Sequence, residues 1–520
     1  MKKNIKGLIV AGFFAVILLT STLTLAFNSV PKPANDQTTT GTPADNFPDE
    51  QRPRFCGTGN AKSNQYVREF KIPTECTQPL AITTDPLGNV WFVQTNTGNV
   101  AKFDPATSQF TEYENPSWPE KGRSMMWGID YSFDGSLWYT DDALDSIWRF
   151  SISDLTYERF SYPSSGDSLP HRIMVKGGQI IVNDFYGGKI SLFDTRQQEK
   201  SYLNIPTPIP GSFVSGFDVD SEGNIWYTNW MLNQGGALVK FDYTEFSDYA
   251  SKNAVDNSTA LQFSEAFNLP PSMGTAVGLS VDQNNNIWIA DTTSSSFFKF
   301  SQSDEKFTKY ITPYPKEAAY GNVTGVIKSP ITGPYWTQID GGRLVFNEQI
   351  GNGMAVFDIE GESLVEYEIP SRNPNWADCG MNQECGIAQA FGLKSAGDRI
   401  WFTEWVENNI GVVDLSKQLP LGFEISQKEI TLNKGQTAQL EIQLVPSSNI
   451  DIILLSRTTA EPDDVTVSVP VSVVSLQGPQ TIPVSISASE FAIPGTYKAL
   501  LSARTDDVTI SQFVTVNIVQ

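Results

Sequence analysis

A single unit recurs along most of this chain, and a recurring unit limits a fold more tightly than any local propensity. It starts with Gly and an apolar residue, turns through Asp, Gly and Asn, runs on as an aromatic strand, and closes with a strand ending in Phe-Asp. The clearest copies are AITTDPLGNVWFVQ (81–94), GIDYSFDGSLWYTD (128–141), GFDVDSEGNIWYTN (216–229) and GLSVDQNNNIWIAD (278–291). GLKSAGDRIWFTE (392–404) is another, RIMVKGGQIIVND (172–184) a weaker one, and a seventh from Gly325 carries an insertion before RLVFNE (343–348). Trp91, Trp138, Trp226, Trp288 and Trp401 hold the aromatic position, with Ile181 and Val345 in the other two copies. Successive spacings of 47, 43, 45, 62, 57 and 56 residues, each covering several short alternating strands, predict propeller blades. The tryptophans then read as packing between blades, not as a cofactor site.

Each unit is followed by an outer strand: TEYENP (111–116), ERFSYP (158–163), KSYLNIP (200–206), EAFNLP (265–270), TKYITP (308–313) and VEYEIP (365–370). Six tails serve seven units. The missing one stands ahead of the first unit as VREFKIP (67–73), so the N-terminal strand is expected to complete the last blade. Closure of that kind removes the sheet edges that an open array leaves exposed. The expected fold class is therefore all-β, with a seven-bladed β-propeller over 54–418. From 419 to 520 the pattern changes to period-two alternation, as in AQLEIQLVP and FVTVNIVQ, which predicts an immunoglobulin-like β-sandwich acting as a spacer or adhesion unit.

Ahead of the repeats, a basic flank (1–6) with Lys2, Lys3 and Lys6 precedes an uncharged apolar run over 7–27. That run is long enough as a helix to cross a bilayer. It is read as a transmembrane signal-anchor of a single-pass cell-membrane protein, N-terminus cytoplasmic and folded part extracytoplasmic, or secreted if the segment is cleaved. Residues 28–53, rich in Pro and Thr, read as a disordered stalk. The even count of four cysteines in an exported chain predicts two disulfides, Cys56–Cys76 and Cys379–Cys385 being preferred because both close short loops. With 58 Asp+Glu against 36 Lys+Arg and a net charge of −22, a nucleic-acid partner is excluded.

Counting outward from each hairpin turn sets the start of the first strand opposite the end of the second, pairing Leu80 with Gln94, Trp127 with Asp141, His171 with Asp184, Ser215 with Asn229, Val277 with Asp291, Thr324 with Glu348 and Phe391 with Glu404. One face of the ring is thereby expected to carry Gln94, Asp141, Asp184, Asn229, Asp291, Glu348 and Glu404. Two readings of these acids stand side by side. Either they hold a hard cation, Mg²⁺ or Ca²⁺, with Asp141, Asp291, Glu348 and Glu404 as metal candidates, or each bonds backbone within its own blade. His171, the only histidine, is expected opposite Asp184, so His171, Asp184 and Glu404 are the catalytic candidates. Trp127, Arg172, Asn229, Phe391 and Trp376 join the acids as ligand-binding candidates. Trp376 lies in the loop NPNWADCGMNQECG (373–386), where a disulfide would hold it over the funnel.

The units GNIWYTNW, DRIWFTEWVENNIGVVD and RLVFNEQIGNGMAVFD resemble the repeats of the virginiamycin B lyase (streptogramin lyase) family, over roughly 66–415. That resemblance implies seven blades with similar strand closure, and an Mg²⁺-dependent elimination that opens a cyclic depsipeptide with His and Glu as acid–base groups. The family's Pro-His-small-Ile starts fall here on Thr324-Gly325-Val326 and Phe391-Gly392-Leu393, while Pro170-His171-Arg172-Ile173 has that form in the third blade. Glu404, in WFTEW, matches a family repeat position. Three functions follow as expectations: a surface propeller binding a small molecule, peptide, glycan or another surface protein; a lyase of this type; or a metal-dependent hydrolase resembling gluconolactonase.

Overall fold

One aspartate builds the recurring turn. In the first unit Asp85 Oδ1 accepts the backbone N–H groups of Leu87 and Asn89, both at 2.9 Å, while Oδ2 accepts Asn89 Nδ2 at 2.8 Å and Trp91 Nε1 at 2.9 Å. Asp220 and Asp282 repeat the bond to Trp226 and Trp288, each at 2.9 Å. A carboxylate that closes a turn on its own backbone and also takes the indole proton locks the hairpin to the aromatic strand. The three indoles are buried, so their N–H groups need that acceptor.

The structure, a computed structural model, describes residues 56–57, 59–119, 122–163, 168–196, 202–231, 234–255, 257–321, 330–382, 384–461 and 463–520. The basic flank, the apolar run, the stalk and Thr324 lie outside the described residues. Among these residues no helix is long and apolar enough to cross a membrane.

The units fold into seven antiparallel four-stranded blades of a β-propeller, the sixth of them continuing into a larger sheet. Inner strands contact one another in chain order, and the first blade's Pro79–Thr84 meets the last blade's Ala390–Ala396. Val67–Lys71 is the outer strand of the sheet that holds Trp401, paired antiparallel with Asn409–Asp414 so that Glu69 faces Gly411. Glycine at the start of the unit permits the close approach between blades. A Cβ on Gly128, Gly216 or Gly278 would meet the next blade's backbone at 2.6, 2.4 and 2.1 Å respectively. Threonine and asparagine one residue before the strand-end acid or amide then stitch neighbours together. Thr140 Oγ1 donates to His171 O (2.9 Å), Thr228 Oγ1 to Ala276 O (2.8 Å), Asn347 Nδ2 to Ala390 O (2.6 Å) and Thr403 Oγ1 to Leu80 O (2.7 Å).

Beyond the ring, Leu421–Ile425, Thr437–Pro446, Gln480–Ala488 and Val465–Ser468 form one sheet. It shares an apolar core, including Phe423, Ile442, Val484 and Val514, with a second sheet. That second sheet does not stand apart from the propeller. Val508–Val519 pairs with the sixth blade's outer strand Ser363–Glu368, Ser363 facing Gln512, to give nine strands in all. The edge of that blade thus has its backbone groups paired. Lys498 clamps the joint, its Nζ at 2.6 and 2.7 Å from the two oxygens of Glu362.

Two disulfides are present, Cys56–Cys76 and Cys379–Cys385.

Candidate functional site

A bulge displaces five of the expected strand pairs by one residue. Gln94 faces Pro79, Asp184 faces Pro170, Asn229 faces Val214, Asp291 faces Ala276 and Glu404 faces Ala390. In the sixth blade the inner strand is Pro334–Asp340, so Glu348 faces Pro334 and not Thr324. In each of these blades the register shifts just inside that pair. An extra residue on the inner strand bends it and turns its side chains, and symmetric counting from the turn cannot see it.

The consequence for the single histidine is direct. His171 does not bond Asp184, whose oxygens accept Ser168 Oγ (2.7 Å) and the N–H groups of Leu169 and Gly187 (both 2.8 Å), with Lys189 Nζ at 3.4 Å. His171 is fully buried among Trp127, Phe185 and Trp336, with ring centroids at 5.2, 5.4 and 4.8 Å, and neither ring nitrogen has a hydrogen-bond partner. Burial, with Arg172 next to it, pushes its pKa down to about 3. The imidazole is therefore neutral and part of an aromatic layer, and the expected His–Asp proton-transfer pair does not form.

The other strand-end groups are likewise occupied within their own blades. Asp141 accepts Ser124 Oγ and Trp148 Nε1 (2.8 Å), Asp291 accepts Thr275 N and Ser294 Oγ (both 2.8 Å), and Asn229 Oδ1 accepts Ile209 N (3.2 Å). Burial raises the pKa of Asp141 and Asp291. Among the described residues no three His, Cys, Asp or Glu side chains are grouped so as to hold a metal ion. Asp141, Asp291, Glu348 and Glu404 stand on four different blades and are not gathered into such a group.

Glu348 and Glu404 differ from the aspartates. Each meets a second glutamate, Glu366 and Glu69 respectively, on the outer strand of its blade, and each keeps one oxygen, Oε1, without a donor. All four are buried. Burial raises Glu348 to about 7 and lifts Glu366 and Glu404 well above the usual range; Glu69 is raised by the same cause.

The mouth of the ring is closed by aromatic side chains. Trp127 stacks edge-on to Phe391 at 5.6 Å, Phe391 to Trp405 at 5.7 Å, and Trp405 to Trp376 at 6.0 Å. Leu80, Trp127, Val277 and Phe391 belong to this one buried cluster. Trp376, half-buried three residues ahead of the Cys379–Cys385 bridge, packs at its rim.

Next to this layer lies a cavity of about 350 Å³, walled by the inner strands of all seven blades. The residue two places after the unit's first position lines it in every blade: Thr83, Asp130, Met174, Asp218, Ser280, Gln338 and Lys394. Three of them also bridge to the next blade. Asp130 accepts Val175 N at 2.8 Å, Asp218 accepts Val281 N at 2.9 Å, and Gln338 accepts Ser395 N at 2.8 Å. Arg172 lies across the cavity, donating from Nη1 to Leu279 O at 2.8 Å, with its guanidinium 5.7 Å from the ring of Trp336 and 5.9 Å from that of Phe217. Burial raises both aspartates against the opposing pull of Arg172. The walls therefore offer two acids and two bases around a polar space. Apart from Arg172, the sequence reading missed this set, although the third position of the unit is polar in six copies of seven.

Among solved structures, virginiamycin B lyase from Staphylococcus aureus matches at 20% identity with a TM-score of 0.50, over 67% of this chain and 99% of that one. A catalytically inactive variant of that lyase with quinupristin gives the same values. A streptogramin B lyase matches at 18% identity with a TM-score of 0.50, over 67% and 97% of the two chains. The likeness is one of fold: the chain is a virginiamycin B lyase-like β-propeller. No family model and no curated protein matches it.

Proposed function

We propose that this is an exported binding protein, tethered by 7–27 and a 28–53 stalk, with an immunoglobulin-like unit over 419–520, whose propeller takes a small polar ligand in its central cavity. Two disulfides suit an oxidising, extracytoplasmic setting. The observation that carries the binding reading is the 350 Å³ cavity faced by Asp130, Arg172, Asp218 and Lys394. A concave site with a few convergent polar groups is the usual form of a small-molecule site. Binding at Asp141, Asp184 and Asp291 is set aside because their oxygens are held by their own blades.

A lyase reading keeps one support, the shared fold with enzymes that act on streptogramins. It lacks the family's imidazole at Phe391, which instead packs in the aromatic layer. The test is a calorimetric screen of the full chain against sugars, amino acids, carboxylates and a streptogramin B, with a linearisation assay on the last. Ser280→Trp fills the cavity from the fifth blade. A ligand whose affinity survives that substitution unchanged would place binding elsewhere; linearisation of the streptogramin would favour the lyase.

A further inference from the structure

The two glutamate pairs occupy one repeated position, and the first blade shows what that position requires. There Gln94 Nε2 donates to Glu112 Oε2 at 2.8 Å. Glu112 lies on the outer strand opposite Ala101, two residues beyond Asn99, which pairs with Gln94. In the seventh blade Glu404 faces Asn409, and Gly411, two residues on, faces Glu69. In the sixth, Glu348 faces Gly353, and Ala355 faces Glu366. The geometry is the same in all three, but only the first has an amide to supply the hydrogen. The second, third and fifth blades set Arg159, Asn204 and Lys309 at the outer-strand position, so no two acids meet there.

We infer that Glu404–Glu69 and Glu348–Glu366 each hold one shared proton, and that these protons latch the two places where remote chain segments join a propeller blade. Glu69 is on Val67–Lys71, the strand that closes the ring, and Glu366 is on Ser363–Glu368, the strand that receives Val508–Val519. A neutral carboxyl donates as Gln94 does; two carboxylates in contact repel and leave buried charge without a donor. The buried Oε1 atoms of Glu404 and Glu348, lacking any donor, mark where the O–H belongs.

The two latches have different surroundings. Around Glu404–Glu69 stand Asn409 Nδ2, 2.7 Å from Glu404, with Ser371 N and Lys62 N, 2.8 and 2.7 Å from Glu69, and the further acid Glu407. Around Glu348–Glu366 stand Thr312, Thr332, Arg457 and Arg504, with Lys316 and Glu368 lining the same small recess. Among the described residues, the groups named around the closing seam include no cation, so it is the more sensitive to loss of the proton.

A carboxyl whose pKa is raised on folding contributes stability below its unfolded value and loses it as pH rises through the folded value. His171 titrates below the range pH 6.5 to 9; Lys316, pushed down by burial to about 8, titrates within it but lines the recess of the other latch, so exchange in Val67–Lys71 is the readout for Glu404–Glu69. On the full chain, amide exchange in Val67–Lys71, corrected for its intrinsic pH dependence, is expected to speed up about tenfold across that range in the wild type, one pKa unit of coupling being a tenfold change. Glu404→Gln, which recreates the first blade's pair, is expected to flatten the profile. Should that variant fold poorly, Glu69→Gln places the amide on the other partner and serves equally. A profile that both amides leave unchanged overturns the latch. A melting midpoint that moves on adding a chelator at fixed pH also overturns it, since a cation rather than a proton would then join the acids.

Discussion

Gly392 of the last blade lies against Leu80 of the first, so closely that a Cβ on the glycine would meet the Leu80 carbonyl oxygen at 2.2 Å. The same carbonyl accepts Thr403 Oγ1 at 2.7 Å. Gly392→Val should therefore push the closing blade away from its neighbour and cost about 2–4 kcal/mol in denaturant unfolding. Gly397→Ala, where a Cβ would meet nothing within 4 Å although φ is +65°, should cost only about 1 kcal/mol.

The turn aspartates should be worth more than their position suggests. Asp282→Ala removes the acceptor of Asn284 N, Asn286 N and Trp288 Nε1, all at 2.9 Å, the last from a buried indole. About 2–3 kcal/mol of stability should be lost, with a change in tryptophan fluorescence as the indole loses its partner.

The aromatic layer should make the fold acid-sensitive. With the folded pKa of His171 near 3, the unfolded chain binds a proton there that the folded chain refuses. Stability from this residue is thus full above about 6.5, the ordinary histidine value, and declines as pH falls toward 3. His171→Phe should keep the packing at pH 8 and make the midpoint fall less steeply between pH 6 and 4. An unchanged slope in that variant would contradict a neutral buried imidazole.

Lys498 should control docking of the C-terminal sheet. Its ammonium meets both oxygens of Glu362 and, at 2.9 Å, Thr515 Oγ1. Lys498→Met should cost about 1–3 kcal/mol, since Glu362 is left half-buried without its cation. Hydrogen exchange is expected to rise along Val508–Val519 before it rises in the blades.

The propeller was legible because its repeat is written in residues with one physical task each: Gly for close approach, Asp for the turn, Trp for the space between sheets. The register of the mouth was not, since a bulge is a backbone irregularity that leaves the alternation of the second strand, as in IWYTN, untouched. That one-residue slip is why His171 was set opposite Asp184 when Pro170 stands there. The channel escaped for another reason: Asp130, Asp218 and Lys394 share a place in the repeat but not a charge, and searching for like residues passes over them. Glu69 and Glu404 lie 335 positions apart in the chain, and only ring closure brings them together.

The loop made by Cys56–Cys76 contains the whole of Val67–Lys71. A pull applied to the chain ahead of Cys56 crosses the sulfur bridge and enters at Thr77, whose N–H is held by Asn408 Oδ1 at 2.7 Å. The closing strand itself carries no load. Tension entering at Cys56 is thus routed around the seam, and only a reductant would turn that seam into the weak link of the line.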